Sequence, residues 1–360
     1  MDKLQNKHIP NGSHEPGAQK IESSDPKAAV RKNDHIALAQ ESAIASAALD
    51  DRFHYEPLLT AHPLASQSIS QNFLGKKMRA PIWISSMTGG SERAYSLNRV
   101  LAKMANTFGL GMGLGSCRCL MENSDRFEDF NLRDILGGDL PFFANIGIAQ
   151  LEVLVGDKKM REFFLSQLKA LQVDGLIIHV NPLQEWLQPE GDRFTMAPLE
   201  TIKRFIELVG EMKIVVKEVG QGFGPKSMQE LVNLPISGIE FAAFGGTNFA
   251  RLEMLRGKGS NHQDPLAYVG HHVEEMINFY NSCISDSTDK DIIISGGVSN
   301  FLDGHYYKKI LKANSVIGMA GAVLKYALEG EDSLHHFMQQ QIEGFKFASQ
   351  FLTVKKDREL

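Results

Sequence analysis

The chain has 360 residues, 43% of them apolar and 22% charged, the composition of a soluble globular protein able to bury a sizeable core as one large or two medium domains. Its 38 Lys and Arg against 43 Asp and Glu leave a formal charge of −5, so no overall positive field favours a phosphate backbone and nucleic acid is not an expected partner. No stretch of about 20 apolar residues is present to span a bilayer, the polar opening lacks the apolar stretch of a secretory signal, and Cys117, Cys119 and Cys283 are too few for a disulfide framework; a cytoplasmic protein with reduced thiols and no membrane association is expected.

Residues 1–30 are rich in Asn, Ser, Pro, Gly, Lys and Asp without hydrophobic period, and read as a flexible tail. Next come Arg31, Lys32 and His35. In a helix Arg31 and His35 share a face, and by composition such a cluster is a solvated surface, with an anion site as the alternative. From residue 81 the sequence changes character. Eight short apolar runs, at 81–87, 109–115, 141–146, 175–180, 213–219, 238–244, 291–298 and 315–320, are each too short for a helix and read as parallel strands covered on both faces. Amphipathic segments such as 91–108 and 151–171 lie between them. Eight strand–helix alternations predict a (β/α)8 TIM barrel in preference to a doubly wound open sheet, which alternates in the same way. The surplus length falls in an N-terminal extension before Pro81 and an insertion over 247–290 between strands 6 and 7, with 31–350 forming a single barrel domain.

In such a barrel the chemistry belongs to the carboxyl ends of the strands. Strand 1 is followed by Met87-Thr88-Gly89-Gly90 and strand 2 by Gly115-Ser116-Cys117-Arg118, while Gly245-Gly246-Thr247, Gly296-Gly297 and Ala320-Gly321 close strands 6, 7 and 8. Each glycine alone is ordinary turn chemistry. Together, on the last strands, they predict a cup of backbone amides for phosphate, with the Thr247 hydroxyl beside it. The fourth run ends in His179-Val180-Asn181-Pro182-Leu183-Gln184-Glu185, where strand alternation turns His179 and Asn181 toward the barrel mouth. A lone histidine there would be a core residue; convergence with Asn181, Gln184 and Glu185 argues for a site. Glu185 by itself suits Mg²⁺ only with water and substrate phosphate oxygens completing the shell. Lys217 shares a face with Val215 and Val219 and calls for an anionic partner or a shifted pKa, whereas Glu218 points the opposite way, toward a surrounding helix. Cys117-x-Cys119 lacks the further ligands of a zinc site.

Arg31-Lys-x-x-His35, Met87-Thr-Gly-Gly90, Gly115-Ser-x-Arg118, Ala144-Asn145, His179-x-Asn-Pro-Leu-Gln-Glu185, Gln188-Pro-Glu-Gly-Asp192, Lys217-Glu-Val-Gly220, Gly245-Gly-Thr247, Ser295-Gly-Gly297 and Gly318-Met-Ala-Gly321 together resemble the type 2, flavin-dependent isopentenyl diphosphate isomerase family. The resemblance implies an FMN-containing barrel that interconverts isopentenyl and dimethylallyl diphosphate in isoprenoid biosynthesis, with Mg²⁺ and reduced flavin, NADPH as flavin reductant, no net redox change, and a tetrameric or octameric homo-oligomer. Carried over position by position, Ser86, Met87, Thr88, Ser116, Asn145, Lys217, Thr247, Gly296, Gly297, Ala320 and Gly321 would hold FMN. Arg31, Lys32, His35, Ser116, Arg118, His179, Asn181 and Gln184 would surround the diphosphate substrate, Glu185 would hold the metal, and Gln184, Glu253 and His179 would serve catalysis. Phe249 stands where the family usually has Trp, keeping an aromatic face without the indole. The rival readings are an FMN hydroxy-acid oxidase, whose His-Gly-Arg arrangement has no clear counterpart here, and a non-catalytic flavin- or phosphate-binding protein.

Overall fold

The structure, a computed structural model, describes residues 27–86, 89–256, 265–285 and 289–355. Two compact units meet in sequence at Asp51 and Arg52. Among its described residues the smaller carries a helix, Ala28–Leu38, with Arg31, Lys32 and His35 exposed along it, and a 3₁₀ turn, Ser46–Ala48. The basic cluster lies in this smaller unit.

In the larger unit eight strands pair side by side, all parallel: β1 (Ile82–Ile84), β2 (Gly111–Ser116), β3 (Phe142–Gly147), β4 (Gly175–His179), β5 (Lys213–Lys217), β6 (Gly238–Glu240), β7 (Asp291–Ser295) and β8 (Ser315–Met319). Pairing of β8 with β1 closes the barrel. Each apolar run contains one strand, so the expected (β/α)8 TIM barrel is the fold. The run at 238–244 yields only three strand residues, and Ala242 beyond them has left-handed backbone, φ 44°. The segment 91–108 forms the helix Glu92–Phe108, which starts where Ser91 accepts the Ala94 amide and ends at left-handed Gly109. The helix expected over 151–171 is instead two, Ile148–Gly156 and Lys158–Ala170, because Asp157 is extended and its carboxylate caps the second by accepting the Met160 amide. Between β6 and β7 the insertion holds the helix Phe249–Arg256, a 3₁₀ turn Pro265–Tyr268 and the helix Val273–Cys283. Among the described residues no helix is long and apolar enough to cross a membrane.

Strand register decides what fills the barrel. Trp83, Phe143, Ile177, Val215, Ile293 and Val316 are buried together inside it, and Gly111 and Gly238 stand at the matching places on β2 and β6. A Cβ at Gly111 would collide with the Trp83 ring, so glycine makes room for the indole. Side chains alternate along a strand, so the next inward positions toward the carboxyl ends are Ser85, Gly113, Asn145, His179, Lys217, Glu240, Ser295 and Gly318. A ring of polar groups thus lies directly over an apolar layer.

The opposite end is closed by a hairpin of Gln71–Phe73 and Lys76–Met78, which the apolar-run reading did not resolve. Leu74 and Gly75 both have positive φ, 48° and 81°, as a two-residue hairpin turn twisted to match its strands requires. The Leu74 amide donates to the Asp291 carboxylate at 2.5 Å, and its carbonyl accepts from Lys213 Nζ at 2.7 Å. Phe73, Leu74 and Met78 pack on the inner apolar layer. Leu74→Ala is accordingly expected to cost about 2–5 kcal/mol in urea unfolding; a loss below about 1 kcal/mol would contradict this packing role. The unit's ends are clasped by Phe53–Tyr55, antiparallel to Leu352–Val354 beyond the helix Glu331–Phe351.

Candidate active site

Two cavities open over the polar ring. The first, about 250 Å³, is lined by the inward Ser85, Lys217, Glu240, Ser295 and Gly318 and by the loops bearing Gly245, Gly246, Thr247, Gly296, Gly297, Ala320 and Gly321. The second, about 140 Å³, is lined by Ser86, Gly115, Ser116, Asn145, His179, Gln184, Lys217, Val219 and Phe249. Ser86, Lys217, Val219 and Phe249 line both, so the two adjoin. Residues far apart in sequence are thereby brought to one end of the barrel. Met87 and Thr88 lie outside the described residues.

The first cavity has the makings of an anion seat. Gly245, Gly296 and Gly297 have φ of 117°, 90° and 71°, a region in which a side chain is strained. A Cβ on Gly246 would stand 3.1 Å from Gly296 Cα and one on Gly245 3.2 Å from Gly297 Cα, so the loops after β6 and β7 lie backbone against backbone. The helix Gly321–Glu329 begins at the same place, with the Thr247 hydroxyl 3.1 Å from where a Cβ of Gly321 would be. Its free first-turn amides and the positive end of its dipole face the cavity wall.

Electrostatics set the second cavity. Lys217 is buried and its Nζ donates to the Glu218 carbonyl at 2.8 Å, with no ion pair to a described carboxylate. A buried cation with no direct ion pair favours an anionic or electron-rich occupant. His179, in register with Lys217, has its pKa pushed down to about 3, first by burial and then by that neighbouring charge. Its Nδ1 is 2.6 Å from Asn145 Oδ1, so the neutral ring carries its proton on Nδ1 and leaves Nε2 as an acceptor. The unfolded chain takes up this proton near pH 6.5, whereas the folded one does so only near 3. Stability therefore falls as pH drops below about 6.5, and the loss levels off near the folded value. His179→Gln is expected to lose less stability than the wild type between pH 7 and pH 5; equal acid sensitivity in thermal melts would contradict a neutral, half-buried His179.

Glu218 does not reach a helix. Its carboxylate accepts the amides of Gly220, Gln221 and Gly222 at 2.7, 2.5 and 2.9 Å and so closes the loop after β5. Burial raises its pKa, with the three amides and Lys217 opposing.

The helix Pro182–Leu187 presents Gln184 to the second cavity. Asn181, at its N-cap, is buried and turned to that helix: its Nδ2 donates to Gln184 Oε1 at 3.0 Å and Glu185 Oε1 at 2.9 Å. Gln184 Nε2 in turn donates to Glu253 Oε1 at 3.2 Å, and Arg256 pairs with Glu253 Oε2 at 2.6 Å. Asn181 and Glu253 thus stand behind Gln184, positioning it. On the other side Glu185 Oε2 accepts the Asp192 amide at 2.7 Å, and Asp192 Oδ2 accepts from Arg118 Nη1 and Gln150 Nε2, both at 2.6 Å. Arg118 edges a shallow recess with Gly89, Gly90 and Ser116. Among the described residues no group of three or more His, Cys, Asp or Glu could hold a metal. Cys117 is a free buried thiol whose pKa burial pushes up to about 12.

Ser85, Glu240 and Ser295 also line the first cavity, though the sequence reading assigned them no role. The signal was available for Glu240, the one carboxylate of the sixth run, since alternation sets it on the face opposite Ile239 and Phe241. Ser85 Oγ, Ser86 Oγ and Glu240 Oε2 are buried with no partner among the described residues, which leaves polar atoms ready for an occupant.

No family model matches the chain. Mandelate oxidase with (S)-2-phenylpropionate superposes with a TM-score of 0.55 at 12% identity, covering 84% of this chain and 86% of that one. A flavocytochrome b2 variant with sulfite bound gives 0.54 at 13%, covering 82% and 71%. At such identities these likenesses concern the barrel fold alone. Sequence relatives are much nearer: the isopentenyl-diphosphate delta-isomerase of Rickettsia felis is 34% identical over 320 residues, 88% of this chain and 90% of that protein. The protein of the same name from Rickettsia typhi is 35% identical over 281 residues, 76% and 78% of the two chains. With a third of its residues shared along nearly the whole of such a relative, and a closed eight-stranded barrel, the chain belongs to the isopentenyl-diphosphate delta-isomerase family.

Proposed function

We propose that this protein interconverts isopentenyl and dimethylallyl diphosphate with reduced FMN and Mg²⁺, as a step of isoprenoid biosynthesis. The observation that carries the proposal is the junction of the glycine cup, suited to phosphate, with a cavity around the buried Lys217, which has no direct ion pair to a described carboxylate. The unpartnered Ser85, Ser86 and Glu240 oxygens, beside the loops of Gly245, Gly296 and Gly297, fit a bound phosphorylated ring. Gly296, Gly297, Ala320, Gly321 and Thr247 would take the FMN phosphate, and Ser86, Ser116, Asn145 and Lys217, with Met87 and Thr88 from the family resemblance, the ring.

Moving an unactivated double bond requires a proton added at one carbon and another removed, through a species with tertiary carbocation character. Bound reduced FMN supplies an electron-rich plane and a proton-exchanging N5 for that chemistry. Lys217 favours the anionic form of such a ring by Coulomb attraction. His179, being neutral, acts as a hydrogen-bond partner and not as an acid. Gln184, held by Asn181 and Glu253, keeps one amide orientation against the reacting tail. Val219 and Phe249 give an apolar wall that limits capture of the cation by water. Arg118 would hold the diphosphate.

Glu185 offers one carboxylate, so Mg²⁺ there must complete its shell with water and diphosphate oxygens. Glu185→Gln is expected to raise the Mg²⁺ concentration for half-maximal rate about tenfold; an unaltered Mg²⁺ dependence would remove Glu185 from the metal. The function itself is tested by anaerobic incubation with isopentenyl diphosphate, Mg²⁺ and reduced FMN. Dimethylallyl diphosphate is expected, whereas its absence, or equal formation without FMN, would contradict the reading.

A further inference from the structure

Glu240 is the only carboxylate in the inward polar ring, and it is 1% exposed. Its orientation is fixed by a short relay. The Ala242 amide donates to Ser295 Oγ at 2.9 Å, which leaves the serine hydroxyl proton for Glu240 Oε1 at 3.1 Å. Oε2 is buried without a partner among the described residues, and the residue lines the first cavity but not the second. Lys217 stands beside it in register, yet makes no ion pair with it and gives its proton to the Glu218 carbonyl. A carboxylate oxygen in this state needs a donor from whatever fills the cavity.

The chemistry of the surroundings selects which donor. A phosphate has none to offer and is repelled by like charge, and its seat is in the loops beyond Ser295, at Gly296 and Gly297. The ring's cavity is bounded by Asn145, His179 and Gln184, and Glu240 is no part of that wall. What connects phosphate to ring in FMN is the ribityl chain, a polyol whose hydroxyls are donors. We propose that Glu240 Oε2 accepts a hydrogen bond from a ribityl hydroxyl, and so recognises the linker of the cofactor independently of its two ends. This rests on the FMN reading above.

The test measures dissociation constants of flavin-stripped protein for FMN, riboflavin and lumiflavin, the ring without the polyol, by fluorescence quenching. Glu240→Gln keeps an acceptor for Ser295 and places an amide donor where the free oxygen was; Glu240→Ala removes both. Binding of FMN and riboflavin is expected to weaken at least about tenfold in each variant, with lumiflavin affinity unchanged within about twofold. Unchanged FMN affinity in Glu240→Gln would overturn the proposal, as would an equal loss for lumiflavin, which would place the effect on the ring or on the fold. Circular dichroism melts of Glu240→Gln keep the answer readable if Glu240→Ala does not fold. Wild-type protein that binds none of the three flavins would instead defeat the FMN reading, and this inference with it.

Discussion

Replacing Gly296 by alanine is expected to raise the FMN dissociation constant at least about a hundredfold, or to prevent the barrel mouth from forming at all. Its φ of 90° lies where an L side chain is strained, and the added Cβ would press into the Ala243 backbone, 2.6 Å from its carbonyl carbon. There is little room to yield: Ala243 donates its amide to the Ser295 carbonyl, and even a Cβ on Gly246 would stand 3.1 Å from Gly296 Cα. The cup would open by widening the gap between the loops after β6 and β7, and the amides aimed at a phosphate would no longer converge. Flavin titration with a melting curve reads the outcome. A variant that folds and binds FMN within about threefold of wild type would show that these glycines are ordinary turn residues.

Lys217→Ala should have the next largest effect, and of a different kind. The fold keeps its cup, but the cavity loses its one buried cation, so a reduced ring is expected to hold its proton more tightly. Its ionisation should move up by about 1–3 pH units, and FMN affinity should drop about tenfold or more. Spectroscopic titration of the reduced flavin reads the first quantity directly. An unchanged ionisation would place Lys217 away from the ring. His179 supplies an internal check: part of its depression comes from the Lys217 charge, so in Lys217→Ala its pKa should rise from about 3, short of the free value because burial remains the larger cause.

Much of this arrangement is legible in the chain, because two local regularities survive folding. Parallel strands sealed on both faces stay apolar throughout, which is why eight runs translate into eight strands. Alternation along a strand then turns His179 and Lys217 inward with no knowledge of their partners. What escapes is tertiary. The pairing of His179 with Asn145 depends on the stagger of β3 against β4, and the closure of the cup depends on β6, β7 and β8 standing side by side. Asn181 obeys alternation only as far as β4 runs; the strand ends at His179, and the asparagine turns to the helix that follows. Asp157 breaks a helix that apolar spacing alone would continue, since a carboxylate prefers to cap. The hairpin at 71–78 carries little periodic signal of its own and is held by Asp291, Lys213 and the barrel floor. The proposed cofactor and substrate rest on the resemblance of whole motifs, which composition and spacing could not supply.

The central claim, that one flavin site spans cup and ring and faces the substrate, is tested most directly by a crystal structure with FMN, Mg²⁺ and isopentenyl diphosphate. The account expects the FMN phosphate on Gly296, Gly297 and Gly321, the ring between Asn145 and Lys217, and the five-carbon tail against that ring beside Gln184. Flavin bound elsewhere on the barrel, or substrate lodged away from the flavin, would contradict it.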